Sequence, residues 1–208
     1  MTELNAPEPH LPPGREVTLP GRGTIFFREL PGPPNAPVLF LLHGWTATAD
    51  LNYFTCYEEL GKHFRVIAPD QRGHGRGLRS SKPFTLAACA DDMAALADHL
   101  GISTFIPVGY SMGGTIAQLL CHRHEQRVRA VVLCATSGFF VSTRQERLSF
   151  LGLHGLGLLA RITPVDAREK ITERLYVQRK VLNWEPWAAA QLQQHDWRLI
   201  LEAGGALG

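Results

Sequence analysis

Ser111 lies at the centre of a pattern that could make a serine nucleophilic. The residues around it read Gly109-Tyr110-Ser111-Met112-Gly113, a G-x-S-x-G pattern between the apolar run FIPV and an apolar helical stretch. A tight turn from strand to helix pushes the serine Oγ out at the carboxyl end of the strand, where ligands of open α/β sheets bind. Glycines on both sides permit the close backbone approach that a Cβ would block. The pattern predicts a nucleophilic Ser111 with Gly109 and Gly113 as structural residues; the alternative is an ordinary serine in a glycine turn.

A second candidate segment follows the apolar run PVLFLL and reads His43-Gly44-Trp45-Thr46. A main-chain N–H in this segment, that of Trp45, could form an oxyanion hole together with the N–H of Met112, the residue after the serine. The ring of Trp45 would then shape a pocket wall, and Tyr110 is the other candidate substrate-binding side chain. His43 stands at a strand end, next to Gly44, which favours a structural hydrogen-bonding role over a catalytic one.

The third segment, DQRGHGRG at residues 70–77, combines glycines with basic residues. Such a loop could cradle a phosphate, but it lacks the G-x-x-x-x-G-K-[ST] pattern and no helix follows its glycines directly. We therefore interpret it as a structural loop that braces the serine turn, with Asp70 and Arg72 as structural residues near the site.

The elements that would position these residues alternate between strands and helices. Strands are predicted at 16–19, 24–29, 37–42, 64–68, 104–108 and 128–134. Helices are predicted at 50–60, 85–100, 111–124, 144–160, 164–182 and 184–203. This order predicts an α/β fold with a mostly parallel central sheet flanked by helices. We expect a flexible lead-in over 1–14, the α/β core over 15–141 and a helical cap over 142–208.

Composition narrows the classes of protein. The chain has 208 residues and a formal charge of +2 with no run of like charges, which argues against a nucleic-acid module. No apolar stretch is long enough for a membrane span, and the proline-rich start does not resemble a signal peptide. The four cysteines lack C-x-x-C spacing and are expected to be buried and reduced: Cys56, Cys89, Cys121 and Cys134. We expect a cytoplasmic protein with no metal and no cofactor.

Taken in order, HGW, DQRGHGRG and GYSMGG resemble the motifs of the α/β-hydrolase superfamily, in particular bacterial hydrolases with a helical cap such as esterases and cofactor-free haloperoxidases. The resemblance implies Ser111 as the nucleophile, the N–H groups of Trp45 and Met112 as the oxyanion hole, and a small-molecule ester or acyl substrate. A serine at this position also argues against the branches of the family that use an aspartate nucleophile. Perhydrolysis and C–C bond cleavage use the same serine turn, and a non-catalytic binding protein that keeps the fold is the alternative from a different class.

The resemblance leaves two roles unfilled, because the family places an acid and then a histidine on loops after later strands. His122 and His124 lie about three turns along the helix that starts at Ser111, and the pair His195-Asp196 consists of neighbours that diverge on a helix. His154 and Asp166 belong to the predicted cap. We therefore expect the triad acid and histidine to be absent from this chain, the chain to be C-terminally truncated and inactive alone, and its strand 128–134 to be an exposed edge that promotes self-association.

Overall fold

The computed structural model describes residues 9–138 and 185–207, together with the single residues Gly152, Gly155 and Leu159. The lead-in before residue 9 and most of the predicted cap lie outside the described residues. The predicted helices at 144–160 and 164–182 fall there, as do His154 and Asp166. The division into core and cap stays a prediction.

Six strands form one sheet. They are β1 (Gly14–Leu19), β2 (Gly23–Leu30), β3 (Val38–Leu42), β4 (Arg65–Pro69), β5 (Ile106–Tyr110) and β6 (Val132–Cys134). Their order across the sheet is β1-β2-β4-β3-β5-β6. The first two strands pair antiparallel as a hairpin, and β2 joins β4 antiparallel, whereas β4, β3, β5 and β6 run parallel to their neighbours. The predicted α/β fold with a mostly parallel sheet is confirmed.

The strands that carry the candidate site are short and apolar because both of their faces are covered. In β3, Leu39 and Leu41 pack into one buried cluster, while Phe40 and Leu42 pack into another. Since alternate side chains of a strand point to opposite faces, the two clusters lie on opposite sides of the sheet. This double burial explains the continuous apolar run in the sequence.

The described helices are α1 (Ala49–Tyr53), α2 (Tyr57–Gly61), α3 (Leu86–His99), α4 (Met112–Arg123), α5 (Glu185–Gln193) and α6 (Trp197–Ala206). The single helix predicted over 50–60 is wrong, because the chain forms two short helices there. The Cys56 N–H bonds the Tyr53 carbonyl, a three-residue spacing that interrupts the α-helical pattern between α1 and α2. No helix in the described parts of the chain is long and apolar enough to cross a membrane.

The strand predicted over 128–134 is shorter than expected. Only Val132–Cys134 pairs with β5, and Val128 makes an isolated bridge to Phe105. One extra residue between these two contacts interrupts the ladder, as at a β-bulge. Within the described residues β6 does lie at the sheet edge, and Val132 and Leu133 are 44% and 46% exposed. Whether this edge promotes self-association stays a prediction.

The cysteines are all free thiols, as expected, but their burial differs from the prediction. Cys89 is buried in α3, Cys56 and Cys121 are half-buried, and Cys134 at the end of β6 is exposed. The exposure of Cys134 follows from the position of β6 at the edge of the described sheet, the edge predicted for residues 128–134, whereas the cysteine itself was expected to be buried.

Candidate active site

Ser111 lies at the junction between β5 and α4 in a backbone conformation that side chains rarely adopt. Its φ is 52° and its ψ is −117°. Such a conformation costs on the order of 1–3 kcal/mol and persists only where the surroundings hold it. Here the Ser111 N–H donates to the Cys134 carbonyl at 3.0 Å, and the Thr136 hydroxyl donates to the Ser111 carbonyl at 2.7 Å. Ser111 precedes α4, yet its side chain makes no capping hydrogen bond to the helix.

The glycines around Ser111 are required by close backbone packing. A Cβ on Gly113 would lie 1.9 Å from the Leu42 carbonyl oxygen, and a Cβ on Gly109 would lie 2.3 Å from the Gly113 carbonyl oxygen. Both distances are far below contact, so α4 begins directly against β3 and β5 only because these positions lack side chains. The structural role predicted for the two glycines agrees with this geometry.

Gly44 brings the second candidate segment beside the serine. A Cβ at Gly44 would lie 3.3 Å from the Ser111 Cβ and 3.2 Å from the Tyr110 ring. The Gly44 N–H is already used, because it donates to the Asn52 side-chain oxygen at 2.7 Å. Met112 is the first residue of α4, where main-chain N–H groups lack partners within the helix. The arrangement therefore leaves the N–H groups of Trp45 and Met112 as the candidate oxyanion donors on the two sides of Ser111.

Asn52 was missed by the sequence analysis. It belongs to the short helix α1, and its spacing of eight residues from Gly44 carries no recognisable motif. In the sequence, Asn52 is one amide side chain in a short helix whose other residues are apolar, aromatic or acidic. That signal is too weak to single it out.

The two candidate substrate-binding side chains differ in their surroundings. Tyr110 is 43% exposed next to Ser111. Trp45 is half-buried, and its indole Nε1 donates to the Ile200 carbonyl of α6 at 2.8 Å. The Trp45 ring is therefore engaged with α6, in addition to any pocket that it borders.

His43 is fully buried, and both of its ring nitrogens have partners. Nε2 accepts from the Gln71 N–H at 2.9 Å, which places the proton on Nδ1 for donation to the Gly44 carbonyl at 2.8 Å. The Gln71 side chain also donates to the His43 carbonyl at 2.6 Å. Burial lowers the pKa of His43. This geometry supports the structural interpretation of His43 over the catalytic one.

Asp70 and Arg72 brace the loop at 70–77. One Asp70 oxygen accepts from the Ala49 N–H at 2.9 Å, and the other accepts from the Arg76 N–H at 3.0 Å. Arg72 binds Asp92 of α3 through two hydrogen bonds of 2.8 Å. Burial raises the pKa of Asp92, and the ion pairs with arginine oppose that shift. The Arg76 side chain pairs with Asp50 at 2.8 Å and with Asp70 at 3.1 Å. Because both arginines of this loop are paired with carboxylates, the geometry supports a structural loop and not a phosphate cradle.

His195 lies between α5 and α6, where it is buried against the same loop. Its Nδ1 accepts from the Gly75 N–H at 2.8 Å, and its ring packs edge-on against His74 with centroids 5.5 Å apart. His74 in turn packs against His43 at 5.1 Å, so three histidines from separate segments lie in a row. Burial, with the neighbouring charges of His43 and Arg79, lowers the pKa of His195 to about 3.

The remaining candidate partners of the serine have other roles. Asp196 caps α6 by accepting from the N–H groups of Arg198 and Leu199, so it does not form a dyad with His195. His124 pairs with Asp91 at 2.9 Å on the outer side of α3, and His122 is exposed. Among residues 9–138 and 185–207, no hydrogen bond joins Ser111 Oγ to a histidine, and no group of three His, Cys, Asp or Glu residues could hold a metal ion. The absence of a triad acid and base from the whole chain stays a prediction.

Comparison with known proteins places this geometry in context. The family model described as the alpha/beta hydrolase fold matches residues 37–155, more than half of the chain. The chain is 34% identical over 124 residues to a bifunctional esterase/perhydrolase of Acinetobacter calcoaceticus, covering 59% of this chain and 45% of that protein. It is 35% identical over 138 residues to 2-hydroxymuconate semialdehyde hydrolase of a Pseudomonas species, covering 65% of this chain and 47% of that protein. The chain thus spans less than half the length of these curated relatives.

Solved structures resemble the fold over nearly the whole chain. A hydrolase from Pseudomonas aeruginosa superposes with a TM-score of 0.70 at 21% identity, covering 93% of this chain and 72% of that one. An enol-lactonase from Burkholderia xenovorans superposes with a TM-score of 0.65 at 23% identity, covering 93% of this chain and 73% of that one. At these identities the likeness concerns the fold alone.

Proposed function

Because the chain belongs to the alpha/beta hydrolase fold family, we propose that it carries the nucleophile and oxyanion hole of a serine hydrolase for ester or related acyl bonds. The observation that carries this proposal is the conformation of Ser111. Ser111 is a non-glycine residue held at a φ of 52°, and its side chain makes no capping hydrogen bond to the following helix. Backbone strain is therefore retained at the residue whose hydroxyl oxygen is not used as the helix cap.

In this proposal Ser111 Oγ attacks the acyl carbon of the substrate. The carbonyl oxygen then becomes an oxyanion between the main-chain N–H groups of Trp45 and Met112. The start of α4 adds the positive end of its helix dipole on the Met112 side. A serine hydroxyl needs a base to accept its proton. Within residues 9–138 and 185–207 no histidine is hydrogen-bonded to Ser111, so this proposal leaves the base unassigned.

The names of the relatives support an acyl or carbonyl substrate without separating the reactions. One relative combines esterase and perhydrolase activity, one is a semialdehyde hydrolase, and a non-heme chloroperoxidase of Streptomyces lividans is 33% identical over 118 residues. Perhydrolysis or C–C cleavage is therefore the second candidate. A binding protein without catalysis is less favoured, because binding alone does not require the strained serine.

The experiment that tests the proposal is turnover of p-nitrophenyl esters. We would compare the full-length protein with its Ser111→Ala variant. We expect turnover by the full-length protein and its loss in Ser111→Ala. Equal turnover with and without Ser111, or none in either, would overturn the assignment of Ser111.

A further inference from the structure

The side chain of Trp45 connects the oxyanion segment, residues 43–46, to helix α6. Its indole Nε1 donates to the Ile200 carbonyl at 2.8 Å across a separation of 155 residues in the sequence. Gly204, one helical turn later, lies against the same ring. A Cβ at Gly204 would come within 2.5 Å of the Trp45 Cζ2, which is closer than carbon atoms can approach. The position of the Trp45 ring is therefore determined by the Ile200 carbonyl and by the helix backbone at Gly204, which carries no side chain.

Helix α6 is itself held firmly on the domain. The Asp196 N–H donates to the Gly73 carbonyl at 2.9 Å, and the Phe84 N–H donates to a Glu202 carboxylate oxygen at 2.8 Å. Leu199 and Ala203 are fully buried in the same cluster as Met112. Because its first turn, its middle and its buried face are all anchored, α6 can act as a fixed support for the Trp45 ring.

The oxyanion segment needs such support from outside. Thr46 has a φ of 60°, in the left-handed region that a β-branched residue occupies only under constraint. Gly44 is fixed by Asn52, but this contact lies before Trp45. The Trp45 N–H belongs to the same peptide as the Gly44 carbonyl, which accepts from His43 Nδ1 at 2.8 Å. Its direction is thus held by His43 and Asn52 on the Gly44 side and by the Trp45 ring on the other.

We propose that α6 positions the main-chain N–H of Trp45 for the oxyanion, and that Gly204 is the positioning residue that admits the indole. This inference rests on the proposed function, since it concerns a donor of that reaction. Loss of one oxyanion donor lowers kcat by about 10²–10³-fold, and a misplacement of 1 Å can cost about 100-fold. A methyl group at Gly204 would displace the ring and, through it, the donor.

The test is Gly204→Ala in the full-length protein, assayed with p-nitrophenyl esters. We expect kcat to fall about 10–100-fold with KM changed less than about twofold, because the donor acts on the transition state and not on the bound ester. Alanine favours a helix interior over glycine, so helix propensity cannot cause the loss. Trp45→Phe alone removes the Nε1 donor to Ile200 and should also lower kcat. Adding Gly204→Ala to Trp45→Phe should cost little more, because the ring atoms that clash are gone.

The matched control is Gly61→Ala at the end of α2. A Cβ there would lie 2.8 Å from the end of the flexible Leu30 side chain, away from the serine, so kcat should stay unchanged. Gly204→Ala with wild-type kcat, or with the same loss in the Trp45→Phe background as in the wild type, would overturn the inference.

A second readout separates this inference from the proposed function. In ¹⁵N-labelled protein, Gly204→Ala should shift the Trp45 amide and indole N–H resonances, whereas Gly61→Ala should leave both in place. If the wild-type protein shows no turnover, the proposed function fails and the Trp45 resonances alone decide. An unshifted Trp45 amide then refutes the positioning role, and a shifted one supports it.

Discussion

The two main-chain segments that border Ser111 are held in different ways. On one side, the turn at 109–113 depends on glycines within the motif itself, which let α4 begin directly against β3 and β5, and its backbone is held by main-chain and hydroxyl contacts to Cys134 and Thr136. On the other side, residues 43–46 are held by side chains from elsewhere, namely Asn52 and, through the Trp45 ring, helix α6. A site of this kind combines one segment whose close packing is permitted by its own glycines with another that relies on side-chain contacts to distant elements.

The largest effect is expected from breaking the local segment. Gly113→Ala places a Cβ 1.9 Å from the Leu42 carbonyl, so the backbone of α4 or β3 must move. We expect the free energy of unfolding to fall by about 3 kcal/mol or more, measured by urea denaturation.

The control for this variant is Gly101→Ala. Gly101 has a φ of 65° but no atom within 4 Å of an added Cβ, so only backbone strain of about 1 kcal/mol is expected. Equal losses in the two variants would show that close packing at Gly113 is not what requires the glycine.

The next largest effect is expected on the free energy of unfolding at low pH. It concerns His195, which precedes α6 and contacts the loop at 70–77. Burial lowers the pKa of His195 to about 3, so the unfolded chain binds this proton more readily than the folded one. The contribution of neutral His195 to the free energy of unfolding is complete above the ordinary histidine pKa of about 6.5, and it is lost as the pH falls from there towards 3. We expect a loss of about 2 kcal/mol at pH 5 relative to pH 8 from this group.

Urea denaturation across this pH range measures that loss, and burial lowers the pKa of His74 and His43 in the same direction. His195→Asn retains an acceptor for the Gly75 N–H and removes one titrating group, so its stability should depend less steeply on pH. His122→Gln, at an exposed position on α4, is the matched control and should keep the wild-type slope. A wild-type slope in His195→Asn would contradict the assignment to His195.

The smallest effect is expected at Asn52. Asn52→Ala removes the acceptor of the Gly44 N–H, and we expect a loss of about 1 kcal/mol in the free energy of unfolding. If the oxyanion assignment holds, ester turnover should also fall. Asn52→Asp keeps an oxygen acceptor at the same place and serves as the control. Identical behaviour of the two variants would argue that the hydrogen bond to Gly44 has no influence.

Prediction from sequence succeeded where the signal is periodic or local. The apolar run before His43 predicted a buried strand, and β3 is that strand, because a strand covered on both faces needs apolar residues at every position. The glycines around Ser111 predicted a tight turn, because the close backbone packing of such a turn leaves no room for a Cβ. The strand predicted through residues 128–134 was too long, since an apolar run carries no sign of the extra residue that interrupts its pairing with β5.

The sequence by itself determined the α/β order of elements and predicted a tight turn at Ser111, because these depend on hydrophobic periodicity and on glycine. Only the tertiary structure decided that His195 is a buried partner of Gly75 and that Trp45 is tied to Ile200 and Gly204. These contacts join residues that are 120 and 155 positions apart. Hydrogen bonds across such distances leave no periodicity in the chain, since each partner is a common residue whose role arises only when α6 packs on the core.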